Sequence, residues 1–215
     1  MEKENYKGIY NRFIKRVIDF TAALVLLVIT LPLFIIISII IAIDSGFPIF
    51  YKPLRDGYQN KPFRIYKFRT MVKDADKGDG TTALNDPRIT RTGKILRKLK
   101  LDEIPQLINV LNSTMSFIGP RPELLKYTQQ YTGEEKLILE VRPGITDFSS
   151  IEFINLDEIV GEENPDEMYE KYVLKEKNRL RIKYAKEVSV KTDVQLFFKT
   201  FWHVGKKAVR VLAHK

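Results

Sequence analysis

The chain has 215 residues, a formal net charge of +9 and no cysteine, which is long enough for one domain with its own core and too short for two ordinary ones. The absence of cysteine excludes a disulfide framework, a thiolate zinc site and a cysteine nucleophile. The two histidines, His203 and His214, are both near the C-terminal end, so chemistry in the body of the chain must rest on carboxylates, lysines, arginines and hydroxyls. The positive balance predicts an anionic partner: nucleic acid, phospholipid headgroups or phosphorylated substrates.

From Phe20 to Ile43 the chain carries no charge and is rich in Leu, Ile, Val, Ala and Phe, enough to cross a hydrocarbon core of about 30 Å. Pro32 lies in the middle of the run, where it removes a backbone donor and predicts a bend or break after Thr30 and Leu31. Both flanks are basic, with Lys15 and Arg16 before and Lys52 and Arg55 after, so the positive-inside bias selects no orientation. A helix-break-helix that dips into one leaflet and returns fits these features, and so does a single kinked crossing helix.

Two short strands, at residues 48–51 and 63–68, are expected around the turn-rich Arg55–Asn60, giving a small hairpin. A polar stretch from Lys73 to Asp86, with Gly78, Asp79 and Gly80, reads as a loop over or beside a site. Apolar stripes at helical spacing follow, Ile95, Leu96 and Leu99 in one helix and Leu107, Ile108, Val110 and Leu111 in the next. Between them stand Asp102 and Glu103, where Asp102 is placed to cap the second helix ahead of Pro105. The final segment, 195–215, has no acidic residue and mixes Phe197, Phe198, Phe201 and Trp202 with lysines and Arg210, the pattern of an interfacial amphipathic helix.

No glycine-rich phosphate cradle of either standard spacing is present, so bound phosphates would fall to cationic side chains, helix N-termini or a metal. Arg97 precedes the acidic pair, and Arg121 and Arg142 sit in the proline turns Gly119-Pro120-Arg121-Pro122 and Arg142-Pro143-Gly144. Rigid turns that present a guanidinium suit a polyanionic ligand.

The order of motifs resembles the bacterial sugar transferases, the monotopic phosphoglycosyl transferases. Lys15-Arg16 precedes the proline-interrupted apolar segment, followed by Ile65-Tyr66-Lys67-Phe68-Arg69-Thr70-Met71 and Asp86-Pro87-Arg88-Ile89-Thr90. Leu101-Asp102-Glu103-Ile104-Pro105-Gln106-Leu107, Gly119-Pro120-Arg121-Pro122-Glu123 and Val141-Arg142-Pro143-Gly144-Ile145-Thr146 complete the series. The resemblance implies transfer of a sugar 1-phosphate from a UDP-sugar to polyprenyl (undecaprenyl) phosphate, with Asp102 as nucleophile and a covalent phosphosugar intermediate. It implies Glu103 as a ligand of Mg2+, and a phosphate-binding set of Lys67, Arg69, Arg97, Arg121 and Arg142. It also implies a re-entrant helix broken at Pro32 and an active site on the cytoplasmic face of the bacterial inner membrane, in the first membrane step of glycoconjugate synthesis.

The expected fold is therefore α+β. A membrane-embedded re-entrant segment occupies 1–46, a mostly helical catalytic domain with a short hairpin 47–194, and an interfacial helix 195–215. The expected partners are a UDP-sugar, polyprenyl phosphate and the phospholipid membrane, without nucleic acid; the oligomeric state, a homodimer among the options, stays open. Residues Asp147–Phe153 and the acidic run Asp157–Glu170 depart from the commoner members of the family, and Leu31 stands where serine usually precedes the proline. A membrane-anchored binder of anionic lipid or nucleic acid would also explain the charge, but gives no reason for Asp102 and Glu103 between arginine-bearing turns.

Overall fold

The structure is a computed structural model that describes residues 4–75, 86–161 and 164–213. The loop glycines 78 and 80 and Asp79 lie outside the described residues, as do Glu162 and Glu163 of the acidic run. A π-helical turn, Tyr10–Ile14, leads into α1, Lys15–Ser45. Pro32 lies inside α1, so the chain is helical on both sides of the proline at which a bend or break was expected. The proline removes one donor, that of its own nitrogen, while the rest of the ladder persists and the Thr30 hydroxyl donates to the Leu26 carbonyl at 2.7 Å. At 1.5 Å per residue, α1 is roughly 46 Å long.

One stripe of α1, comprising Lys15, Asp19, Ala23, Ile37 and Ile41, is buried, at spacings close to whole helical turns. Ala23 packs with Phe63, Ile65, Leu107 and Val110, and Ile37 and Ile41 pack with Phe68 and Leu96. The remaining faces expose Val17, Val28, Ile29, Ile36 and Ile43, far more contiguous apolar surface than a water-soluble chain tolerates. By length and composition α1 and the turn before it could cross a membrane.

After a Gly46 turn the expected hairpin appears in two short registers: β1 (Phe50–Tyr51) pairs antiparallel with β4 (Lys67–Phe68), and β2 (Leu54–Arg55) with β3 (Phe63–Arg64). Next come α2 (Arg91–Lys98) and α3 (Gln106–Leu111). Thr90 caps α2 by accepting from the Gly93 amide at 2.9 Å. A side chain at Gly93 would drive its Cβ to 2.0 Å from the Thr70 carbonyl, so glycine is what lets α2 lie directly on the strand end that follows β4.

A parallel pair that the periodicity did not suggest joins β5 (Ser116–Ile118) to β6 (Gly144–Thr146). It brings the two proline turns into backbone contact, because the Gly144 amide donates to the Pro120 carbonyl and a Cβ on Gly144 would sit 2.1 Å from the Gly119 nitrogen. Short helices α4 (Leu125–Thr128), α5 (Phe148–Glu152), α6 (Leu156–Val160) and α7 (Pro165–Met168) lead to α8 (Leu174–Glu187) and α9 (Val190–Ala213). In α9, Leu196 is buried while Phe197, Phe198, Phe201 and Trp202 are exposed. The α9 helix is tied to the start of α1 through Asp193, which pairs with Lys15 and accepts from Tyr10 Oη at 2.7 Å.

Candidate active site

The site is built where the chain leaves α2. Lys100 adopts a left-handed conformation, φ 58°, a costly choice for a residue with a side chain and one found where the surrounding structure over-determines it. The reversal throws Leu101–Glu103 into a 3-10 turn ahead of Ile104, Pro105 and α3. Asp102 does not cap α3, as the spacing had suggested: the residue at the cap position is Pro105, with no side-chain cap bond. Asp102 is 8% exposed and lines the cavity, and no hydrogen bond to its carboxylate is present among the described residues.

Glu103 is the anchored member of the pair. Its Oε1 faces Lys67 Nζ at 3.3 Å and also pairs with Arg121 Nη2, while its Oε2 accepts from Arg121 Nη1 at 3.2 Å. Arg121 is oriented in turn by donating to the Ile145 carbonyl at 2.9 Å, a contact that exists because the two proline turns are pinned together. Burial alone would raise the Glu103 carboxyl, but Arg121 and then Lys67 outweigh it and hold the acid well below the usual carboxylate range. For Asp102 burial dominates; it raises the pKa against the opposing pull of Lys67, and the negative charge of Glu103 adds to the rise. Burial also lowers the Lys67 ammonium, with Glu103 opposing. Two adjacent carboxyls are thus pushed in opposite directions, one fixed as an anion and one made more basic.

Arg97, from the last turn of α2, reaches Thr70 with its Nε at 2.8 Å from Oγ1 and lines the same cavity. Lys67, Arg97, Asp102, Glu103 and Arg121 are therefore brought together. Two expected phosphate ligands are not. Arg69 is buried and donates through Nη2 to the carbonyls of Ser45 and Gly46, both at 2.6 Å; the unpaired carbonyls at the end of α1 are a cation site in their own right. Arg142 stacks 5.0 Å over the Tyr58 ring and is absent from the lining of the cavity. Each guanidinium lies against an acceptor or ring that the fold brings within reach, while Arg69 Nε and Nη1 and Arg142 Nε are buried without a hydrogen-bond partner.

Several participants carried no sequence signal. Arg181 of α8 is buried against Glu123 at 3.1 Å, and Tyr169 Oη also donates to that carboxylate. Lys177, one turn earlier on α8, lines the cavity beside them. These pairs span 58 and 46 positions, a separation at which only the fold can join them. The cavity measures about 1570 Å³ and runs from the acidic pair to Leu26 and Thr30 of α1 and to Thr200, His203 and Val204 of α9. That is larger than a pocket for one drug-sized ligand.

No group of three or more acidic or histidine side chains able to hold a metal is found among the described residues. An all-protein cage is therefore missing there. Mg2+ can be held by one or two carboxylates with waters and substrate phosphates; at Glu103 it would have to displace Arg121 or Lys67 from an oxygen that already accepts from them.

A mostly helical domain with an acidic pair inside a basic cavity is thus docked on an exposed apolar helix long enough to cross a membrane. Residues 10–207 match the family described as "Bacterial sugar transferase", and the chain belongs to that family of transferases. It is 41% identical over 138 residues to a Bacillus subtilis protein named "Uncharacterized sugar transferase EpsL", covering 64% of this chain and 68% of that one. It is 35% identical over 194 residues to the Escherichia coli "UDP-glucose:undecaprenyl-phosphate glucose-1-phosphate transferase", covering 88% of this chain and 40% of that one. A further Bacillus subtilis relative, "Putative undecaprenyl-phosphate N-acetylgalactosaminyl 1-phosphate transferase", is 44% identical over 122 residues, 56% of this chain and 68% of its own. The chain thus spans less than half the length of the Escherichia coli enzyme.

Proposed function

We propose that this chain transfers a sugar 1-phosphate from a UDP-sugar to undecaprenyl phosphate, through a phosphosugar carried on Asp102. The observation that carries the reading is the contrast within the acidic pair: Glu103 is locked by Lys67 and Arg121, whereas Asp102 lines the cavity with no hydrogen-bond partner among the described residues. A carboxylate oxygen of Asp102 attacks the sugar-bearing phosphorus, a phosphorus–oxygen bond forms, and the bond to the departing UMP breaks with its electron pair. An oxygen of undecaprenyl phosphate then attacks the same phosphorus, the acyl phosphate bond breaks, and the carboxylate is regenerated. Lys67, Arg97 and Arg121 supply fixed positive charge around the phosphates, the main requirement of phosphoryl transfer. Glu103 would hold Mg2+, which when bound neutralises diphosphate charge.

A re-entrant placement of α1 on the cytoplasmic side of the inner membrane is part of this proposal. Both ends of α1 are tied to the same domain: Arg16 donates to the carbonyls of Val110 and Leu111, and Arg69 to those of Ser45 and Gly46. A helix standing straight across a bilayer would put those ends on opposite sides, and the charged site would have to enter the hydrocarbon. With both ends on one side, the exposed faces of α1 and the aromatic row of α9 meet lipid, and the cavity between them receives a lipid-borne phosphate.

The test is UMP release from a panel of UDP-sugars by purified protein in detergent. With the correct donor alone, a burst of about one UMP per active site is expected, together with labelled sugar phosphate on the acid-quenched protein; label is lost on adding undecaprenyl phosphate. Asp102→Asn, which removes only the charge, should eliminate both burst and label. A requirement for both substrates before any UMP appears would replace the covalent route by direct transfer.

A further inference from the structure

The wall of the cavity that α8 supplies contains a cation that the proposed chemistry does not use. Lys177 is 7% exposed and lines the cavity, and no hydrogen bond or ion pair to it is present among the described residues. Its ammonium lies over two aromatic rings, 4.9 Å from the centre of Tyr169 and 6.0 Å from that of Phe153. Burial, and then the charge of neighbouring Arg181, push it down to about 7. Glu123, Arg121 and Asp147 are the other charges that reach it. The Glu123 carboxylate is already occupied by Arg181, Tyr169 and the Leu124 amide, and Asp147 by Ser149 and Ser150. A desolvated ammonium with three donors and no acceptor is destabilised until something supplies one.

We propose that Lys177 is a specificity residue that donates hydrogen bonds to an oxygen substituent of the donor sugar. The inference rests on the UDP-sugar reading of the site. The sugar is favoured over the nucleobase by position. Lys177 lines the same cavity as Arg121, Glu103 and Asp102; the sugar is attached directly to the attacked phosphorus, whereas the base is a phosphate and a ribose away. A buried ammonium of this kind supplies the single placed polar contact by which a pocket tells one sugar from another.

The experiment measures binding rather than turnover. In an Asp102→Asn background, affinities for UDP and for the preferred UDP-sugar are compared by calorimetry, with and without Lys177→Met. The expected result is that UDP affinity changes less than twofold while the extra affinity conferred by the sugar falls about 10- to 100-fold, the range for losing a hydrogen bond to a charged group. Equal loss for UDP and UDP-sugar would place Lys177 on the nucleotide or its phosphates, and no change in either would remove it from recognition; both overturn the proposal. Should Lys177→Met fail to fold, Lys177→Arg keeps charge and donors but moves them, so it should reorder the preference among UDP-sugars and leave UDP affinity unchanged; an unaltered order overturns the proposal. If the parent chain releases UMP from no donor and binds UDP no better than other anions, the UDP-sugar reading itself has failed and the role of Lys177 falls with it.

Discussion

Changing Arg121 to Gln should lower folding stability by about 3 kcal/mol, and most of that loss should return when Glu103 is also changed to Gln. The Glu103 side chain is 14% exposed and the Arg121 side chain 29%, so the pair is mostly withdrawn from water. Breaking such a pair by removing one partner typically costs 3–5 kcal/mol, because an uncompensated charge stays behind. The lower end applies here, since Lys67 remains 3.3 Å from Glu103 and Arg121 keeps some solvent contact. For a chain of this size that is a fall in melting temperature of roughly 6–12 °C. In the double variant the Glu103 carboxylate is no longer stranded, and Lys67 keeps Asp102 as its remaining acidic neighbour; about 1 kcal/mol of loss should remain, from the hydrogen bond to the Ile145 carbonyl. Thermal unfolding in detergent reads the stability, and UMP release reads the activity. Both variants should be inactive, so stability returns without function. A single variant that melts within about 2 °C of the parent, or a double variant less stable than the single, would refute this account of the pair.

The acid limb of the pH–rate profile should lie above the ordinary aspartate value of about 4, because burial raises the Asp102 carboxyl and the attacking form is the anion. The same raised value makes Asp102 favour folding below its unfolded pKa and lose that contribution as pH rises through the folded one. Asp102→Asn should therefore melt higher than the parent at neutral pH and match it more closely near pH 4; equal melting at both would show that the carboxyl is not raised. Single cysteines placed at Tyr6 and Tyr58, clean reporters in a chain with no cysteine of its own, should both resist a membrane-impermeant reagent in intact cells. Labelling of one alone would establish a crossing helix, and Pro32→Leu should move molecules toward that outcome.

What was legible in the sequence is what lies close together along it. The acidic pair, the apolar run, the hairpin and the proline turns each carry their signal within about ten residues, and the structure contains each of them. The placements that local sequence did not show are of one kind. Arg69 and Arg142 look equivalent to Arg121 in sequence, each a guanidinium beside rigid or strand-like backbone. Their fates differ only through partners 23 to 84 positions away: Ser45 and Gly46 for Arg69, Tyr58 for Arg142. The capping role expected of Asp102 failed because the residues after it, Ile104 and Pro105, carry the turn one step further before α3 begins. The parallel pairing of β5 with β6 was invisible because each strand is three residues long, too short for alternation to register.

The long helix and the site depend on each other more closely than the division into an anchor and a catalytic domain implies. Ala23 shares a core with Leu107 and Val110 of α3, the helix that follows the acidic pair, while Ile37 and Ile41 share one with Phe68, next to Lys67, and with Leu96, next to Arg97. Four of the five residues gathered at the site thus sit on backbone that α1 supports from below, and Arg16 and Arg69 hold the two ends of that support in place. An anchor needed only for tethering could be joined by a flexible linker; one that forms part of the core cannot be detached without loosening the geometry of Lys67, Arg97, Asp102 and Glu103. On the proposed reading this coupling has a chemical purpose. A water-soluble donor and a lipid-borne acceptor must reach the same carboxylate oxygen, and a site that moved relative to the membrane surface would lose the orientation that a two-step transfer requires for its second partner.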